Sequence, residues 1–237
     1  MAPLVKICGL TSAAALEAAR GADMVGFVFF TASPRAVSPG RAAAISATLA
    51  GGPRRVGLFV DAGDAELGDA AASVPLDFLQ LHGAETPARC AEVRARFGVP
   101  VMKALGVAAR EDLDAIPAYA AACDVLLLDA KPPPGAGRPG GNAARFDWSL
   151  VAGLRPGVPW LLAGGLTPAN VAEALRQTGA DGADVSSGVE SAPGVKDAEA
   201  IRRFVAEARG AAPPSNRSTD PLPPLERDAL RRNRRER

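Results

Sequence analysis

Residues 161–188 read LLAGGLTPANVAEALRQTGADGADVSSG. A short apolar run ends in Gly164-Gly165. Thr167 and Pro168 then read as the cap and first position of a helix whose apolar residues fall three and four apart. A second short apolar run ends in Ser186-Ser187-Gly188. This is strand, helix, strand, and two strands joined by a helical crossover lie parallel. Working outward, the same alternation fills most of the chain. Apolar runs lie near 4–8, 24–29, 55–61, 77–82, 99–104, 123–129, 158–163 and 182–185. Between them stand helix-forming segments such as SAAALEAARGA and PARCAEVRARFG. Eight strand–helix units in little over 200 residues predict an α/β fold, a (β/α)8 barrel of the TIM type. The rival is an open doubly wound sheet, and no GxGxxG follows the first strand to support it.

Composition narrows the function. With 237 residues, 48% of them hydrophobic, and a formal net charge of +1, the chain reads as one soluble globular domain. Near-neutral charge argues against nucleic acid or an anionic membrane as partner. No apolar run approaches the roughly 20 residues of a membrane span, and no signal-peptide pattern opens the chain. Cys8, Cys90 and Cys123 form neither a metal pattern nor a disulfide frame, which points to free thiols in a reducing, cytoplasmic setting. One histidine, His82, excludes a multi-histidine metal site. After residue 210 the composition changes. Residues 211–237 hold 7 Arg against 4 Asp and Glu and read as a disordered, removable tail on a barrel domain of residues 1–210. The segment AKPPPGAGRPGGN, residues 130–142, reads as a long loop between two strands, a length often tied to function.

In a barrel, functional side chains come from the C-terminal strand ends and the loops after them. Cys8 ends the first strand and Asp129 the sixth, in CDVLLLDAK. Alternation puts Lys6 and Cys8 on the inward face, with Val5 and Ile7 toward the helices. It likewise puts Gln80 and His82 on one face of DFLQLHG. Several strands thus aim polar groups at one end, which a packed core alone does not require. Cys90, in a helical segment, and Cys123, at a strand start, read as packing residues. The glycines Gly164 and Gly165, with Ser186, Ser187 and Gly188, occupy the loops after strands 7 and 8, where barrels often bind phosphate. The ligand implied is a small phosphorylated molecule. Arg35, in FFTASPRAVSP, carries a fork able to hold a carboxylate by two parallel hydrogen bonds.

These stretches together resemble the phosphoribosylanthranilate isomerase family of tryptophan biosynthesis. VKICGLT, GFVFFTASPRAVSP, VGLFVDA, LQLHGAE, LLLDAK, GGNAARFDW, LAGGLTPANV and DVSSGVESAPGVKD carry the resemblance, which runs from about residue 3 to 209. It implies a (β/α)8 isomerase, monomeric or homodimeric, that needs no metal or cofactor. It implies Cys8 as general base, Asp129 as general acid and Arg35 as holder of the anthranilate carboxylate. Gly164, Gly165, Asp184, Ser186 and Ser187 would surround the phosphate, with Asp184 in support. Lys6, Gln80 and His82 would face the substrate, Lys6 also drawing the Cys8 thiol toward neutrality. One departure stands in Gly140-Gly141-Asn142-Ala143, where many members have GG-[ST]-G. Two rivals remain: a barrel isomerase acting on a histidine-pathway aminoaldose, or on both substrates, and a non-catalytic barrel that senses a phosphorylated metabolite. Isomerases of the first kind use two aspartates, which a cysteine base disfavours.

Overall fold

The structure is a computed structural model that describes residues 2–131 and 146–211. The Gly140–Ala143 departure, most of the 130–142 loop and all but the first residue of the 211–237 tail lie outside the described residues.

Eight parallel strands close into a barrel in chain order: β1 (Leu4–Cys8), β2 (Met24–Val28), β3 (Arg54–Phe59), β4 (Phe78–Leu81), β5 (Val101–Val107), β6 (Val125–Ala130), β7 (Trp160–Leu162) and β8 (Gly182–Val185), with β8 paired back on β1. The helices are α1 (Ala13–Ala18), α2 (Pro39–Ala47), α3 (Asp64–Ser73), α4 (Pro87–Phe97), α5 (Ile116–Ala122), α6 (Val171–Thr178) and α7 (Ala198–Gly210). A small hairpin, β9 (Glu190–Ala192) and β10 (Val195–Lys196), follows β8. The open-sheet alternative is excluded by this closure. Among the described residues no helix is long and apolar enough to cross a membrane.

Two apolar layers result from strand alternation. Met24, Val56, Phe78, Met102, Val125, Leu127 and Leu161 fill the barrel. Val5, Ile7, Val25, Phe27, Leu79, Leu126 and Leu128 pack outward under the helices. Burying a side chain of this size contributes about 1.5–3 kcal/mol. Short caps set the helix starts: Ser12 accepts from Ala15 N at 3.2 Å, and Thr86 accepts from Arg89 N at 3.2 Å ahead of Pro87. At α6 the expected start is wrong by one turn. Thr167 does not cap; its own N–H donates to Asn170 Oδ1 at 2.8 Å, and the helix begins at Val171. The Asn170 amide also bonds Gly165 O at 3.1 Å. That side chain ties the loop after β7 into a tight turn just ahead of the helix, where Thr167 O accepts from Asn170 N and Val171 N.

The lower rim carries a repeated device. An aspartate stands directly before each even strand: Asp23, Asp77, Asp124 and Asp181. Their carboxylates accept the backbone N–H of Val5, Arg55, Val101 and Trp160 at 2.7, 2.7, 2.8 and 3.0 Å. Each aspartate N–H donates back to the carbonyl of the same residue. Strands are therefore stapled in odd–even pairs, by bonds worth about 1.5–3 kcal/mol where the acceptor is charged. Arg209, at the end of α7, completes the first staple, donating to Pro3 O at 2.6 Å and Asp23 Oδ2 at 2.8 Å.

Candidate active site

The upper rim gathers the charged residues. Cys8 is the last residue of β1, its Cα paired with Gly26 on β2. A Cβ at Gly26 would stand 2.9 Å from the Cys8 Sγ, so the bare glycine leaves the thiol its niche. Beneath it Lys6, wholly buried, donates to Asp184 Oδ1 at 2.7 Å across the β1–β8 seam. Burial penalises the lysine charge, but Asp184 and Cys8 outweigh this and hold the ammonium above its ordinary range. Lys6 lies beneath Cys8, buried, with its ammonium turned to Asp184. One expectation is corrected here. Lys6 does not bring the thiol toward neutrality: burial pushes Cys8 up, with Asp184 adding to the rise, and the pull of Lys6 and Lys196 only partly offsets this. Cys90 and Cys123 are buried free thiols in the apolar layer under the helices, away from the mouth.

Asp129, near the end of β6, is buried on the same inward face as Leu127. Its Oδ1 accepts from Ala130 N at 2.8 Å. Its Oδ2 lies 3.5 Å from His82 Nε2. His82 Nδ1 in turn stands 3.4 Å from Gln80 Nε2. Gln80 is fully buried, and its amide faces the site across His82. The loop carrying His82 is braced from behind. Lys103 on β5 donates to Gly83 O at 2.6 Å and to Glu85 Oε2 at 2.8 Å.

Arg35 is buried rather than a surface loop residue. Its aliphatic stem crosses Gly9, where a Cβ would come within 2.6 Å of Cδ. Its Nε and Nη2 donate to Glu190 at 2.7 and 2.8 Å. The two-bond fork expected for a ligand is thus spent on a protein carboxylate, and the Nη1 edge has no partner among the described residues. Glu190 also accepts from Lys196 at 2.7 Å, and Lys196 reaches Ser186 O at 2.9 Å. Despite its burial, Glu190 lies below the usual carboxylate range because Arg35 and Lys196 both bond it. Lys196 is also low, since burial and the Arg35 charge outweigh what Glu190 returns. Sequence reading missed Glu190 and Lys196. Their signal was two charged residues just past strand 8, where barrel loops face the mouth.

The two predicted phosphate loops meet. Gly164 has φ 86°, and a Cβ there would stand 2.7 Å from Ala130 N and 3.1 Å from Asp129 Oδ1. A Cβ at Gly188 would run into the Leu166 carbonyl. These glycines let the β7 loop abut Asp129 and the β8 loop close on the β7 loop. Ser187–Val189 form a short helical turn whose leading N–H groups have no preceding carbonyl within the turn. Ser186 Oγ donates to Cys8 O at 3.2 Å, tying this loop to the thiol strand. An apolar lip of Val28 and Leu58, with Phe30 and Val60 packed on it, adjoins Cys8. Together the rim brings two abutting glycine- and serine-bearing loops, an apolar wall, a guanidinium edge, a thiol and a carboxyl group to one end of the barrel.

Known proteins resemble this chain over most of its length. The family described as N-(5'phosphoribosyl)anthranilate (PRA) isomerase matches residues 5–207. The N-(5'-phosphoribosyl)anthranilate isomerase of Paracoccus denitrificans (strain Pd 1222) is 62% identical over 210 residues, covering 88% of this chain and 98% of that protein. The crystal structure of phosphoribosyl anthranilate isomerase from Thermotoga maritima superposes with a TM-score of 0.77 at 38% identity, covering 88% of this chain and 99% of that one. A phosphoribosyl anthranilate isomerase in complex with reduced 1-(o-carboxyphenylamino)-1-deoxyribulose 5-phosphate superposes at 0.75 with 37% identity, over 88% of this chain and 99% of that one.

Proposed function

The chain belongs to the N-(5'-phosphoribosyl)anthranilate isomerase family, and from that premise we propose how its own residues carry the reaction. The protein is an isomerase of tryptophan biosynthesis that turns N-(5-phosphoribosyl)anthranilate into 1-(2-carboxyphenylamino)-1-deoxyribulose 5-phosphate by Amadori rearrangement. Asp129 gives a proton to the ribose ring oxygen as the C1–O bond breaks, leaving an imine at C1. The imine acidifies the C2 hydrogen, and Cys8 takes that proton. The resulting enolamine relaxes to the 2-ketone. One proton goes to the ring oxygen, one leaves C2, and as the enol loses its O–H proton C1 gains one, so the product is an isomer in which C1 is reduced and C2 oxidised within one molecule.

The observation that carries this assignment is the placing of Cys8 and Asp129 at the ends of β1 and β6, on well-separated arcs of one rim. A base and an acid acting on C2 and the ring oxygen need that separation. The phosphate lies between Gly164-Gly165 and Ser186-Ser187-Gly188. The anthranilate ring lies on the apolar lip beside Cys8, and its carboxylate takes the free edge of Arg35. Asp184 supports from below, through Lys6. Burial pushes the Cys8 thiol up in the free protein, so its ionisation is assigned to the complex with substrate.

The experiment follows the loss of anthranilate fluorescence in Cys8→Ala and Asp129→Asn. General acid and base groups are each worth roughly 100- to 10,000-fold. Both variants should lose at least about 100-fold in kcat while still binding the product analogue. Less than about tenfold loss in either removes that residue from its role.

A further inference from the structure

We infer that Gln80 fixes the tautomer of His82, and that His82, so fixed, reserves the transferable proton of Asp129 for the substrate. The inference rests on the reading of Asp129 as proton donor. Asp129 Oδ1 accepts the Ala130 N–H at 2.8 Å, while the nearest nitrogen to Oδ2 stands 3.5 Å away, so the more weakly held Oδ2 is the oxygen that carries the proton. Oδ2 faces His82 Nε2 at 3.5 Å. What stands on that nitrogen decides where the proton points. A lone pair there would capture the carboxyl hydrogen in an O–H···N bond aimed at the imidazole. An N–H there can only donate to Oδ2, which leaves the carboxyl hydrogen to point into the mouth.

Gln80 makes the choice. Its Nε2 lies 3.4 Å from His82 Nδ1, and an amide N–H aimed at Nδ1 requires a lone pair on that nitrogen. A neutral imidazole then carries its hydrogen on Nε2. Packing gives no other reason for an amide here. Gln80 is fully buried in β4 between Leu58 and Met102 of the flanking strands. Its Oε1 is buried with no partner among the described residues. An unsatisfied buried acceptor costs about 1–3 kcal/mol, a cost that an apolar side chain at this position would not carry. Gln80 and His82 are therefore positioning residues for Asp129.

The test uses the fact that His82 is the chain's only histidine. Full-length protein without a histidine tag, labelled with 15N, gives one imidazole in long-range 1H–15N spectra. At about pH 8.5, well above the ordinary imidazole value of about 6.5, the wild type should show the hydrogen on Nε2. Gln80→Met, close in size and apolar, should give a mixture of tautomers and lower kcat by about 3- to 30-fold with KM little changed, part of the 100-fold or more ascribed to the acid. In a His82→Asn background the same substitution should cost nothing further in kcat, since Gln80 acts only through the imidazole. The hydrogen on Nδ1 in the wild type, an unchanged tautomer in Gln80→Met, or a full kcat loss persisting without His82 would each overturn the inference. A failed role for Asp129 gives a different result: the tautomer shifts as expected, yet Asp129→Asn keeps its kcat.

Discussion

Replacing Lys6 by methionine removes one half of a buried ion pair and keeps nearly the same volume. The Lys6 ammonium and Asp184 Oδ1 are 2.7 Å apart, with the lysine side chain wholly buried and the aspartate side chain 10% exposed. At an effective dielectric of about 20, charges this close attract by about 6 kcal/mol, an upper figure because both were first taken out of water. Breaking a buried pair from one side typically costs about 3–5 kcal/mol, since the surviving charge is left uncompensated. Removing both charges costs far less. Lys6→Met alone should therefore lose about 3–5 kcal/mol, while Lys6→Met with Asp184→Asn should lose only about 1–2 kcal/mol relative to wild type. In urea, with a slope of about 2–3 kcal/mol/M, the single variant's midpoint falls by about 1–2 M and the double variant recovers most of that. Activity separates from stability: both variants stay slow, because Lys6 is also the cation that opposes the burial shift on Cys8. Equal destabilisation of the single and double variants would refute the pairing argument. So would a Lys6→Met cost under about 1 kcal/mol.

The free enzyme's Cys8 should alkylate slowly at neutral pH and accelerate only above the ordinary thiol value of about 8.5, because burial raises it; mass spectrometry of iodoacetamide adducts across pH checks this, and rapid labelling at pH 7 contradicts it. Glu190 is held low in the folded state, so the unfolded chain binds its proton first as pH falls. Its share of stability is present above about pH 4.3, the unfolded carboxyl value, and is lost as pH drops through the folded value; thermal melts of Glu190→Gln should show a shallower acid slope than wild type. Gly188→Ala places a methyl group against the Leu166 carbonyl and should force the two loops apart. A rise in KM and in the inhibition constant of inorganic phosphate, larger than any change in kcat, is the expected signature.

Much of the barrel was legible because its signals are local. Each apolar run had to alternate faces, and the observed strands lie within about two or three residues of those runs. Cys8 and Asp129 stood out because they end such runs, and strand ends face the mouth. The environment of those residues was not legible. Arg35 read as a loop arginine because its carboxylate partner lies 155 residues away. Lys6 read as the activator of Cys8 from their shared face, but a strand pattern carries no information on Asp184, which reaches Lys6 only when β8 closes on β1. The cap at Thr167 failed for a nearer reason: Asn170, three residues on, competes for the same backbone and wins by bonding both Thr167 N and Gly165 O. The aspartates before even strands were visible as residues, but neighbours such as Ala, Leu and Cys vary too much to mark them as a repeat.

Those four lower-rim staples give the barrel an order of assembly. They join residues only 18, 22, 23 and 21 positions apart, whereas Lys6–Asp184 and Ser186–Cys8 each span 178. Loop-closure entropy makes the long contact costlier by about 2 kcal/mol, and non-local contacts form late. Each odd–even strand pair is thus able to form as a unit before the β8–β1 seam shuts. Every contact that tunes Cys8 or seats Arg35 from the β8 side crosses that seam. A half-assembled chain would hold the thiol and the carboxyl group, but not the ion pairs that turn them toward a ligand. Catalytic competence should therefore lag helix formation during refolding and arrive with the closing of a single seam.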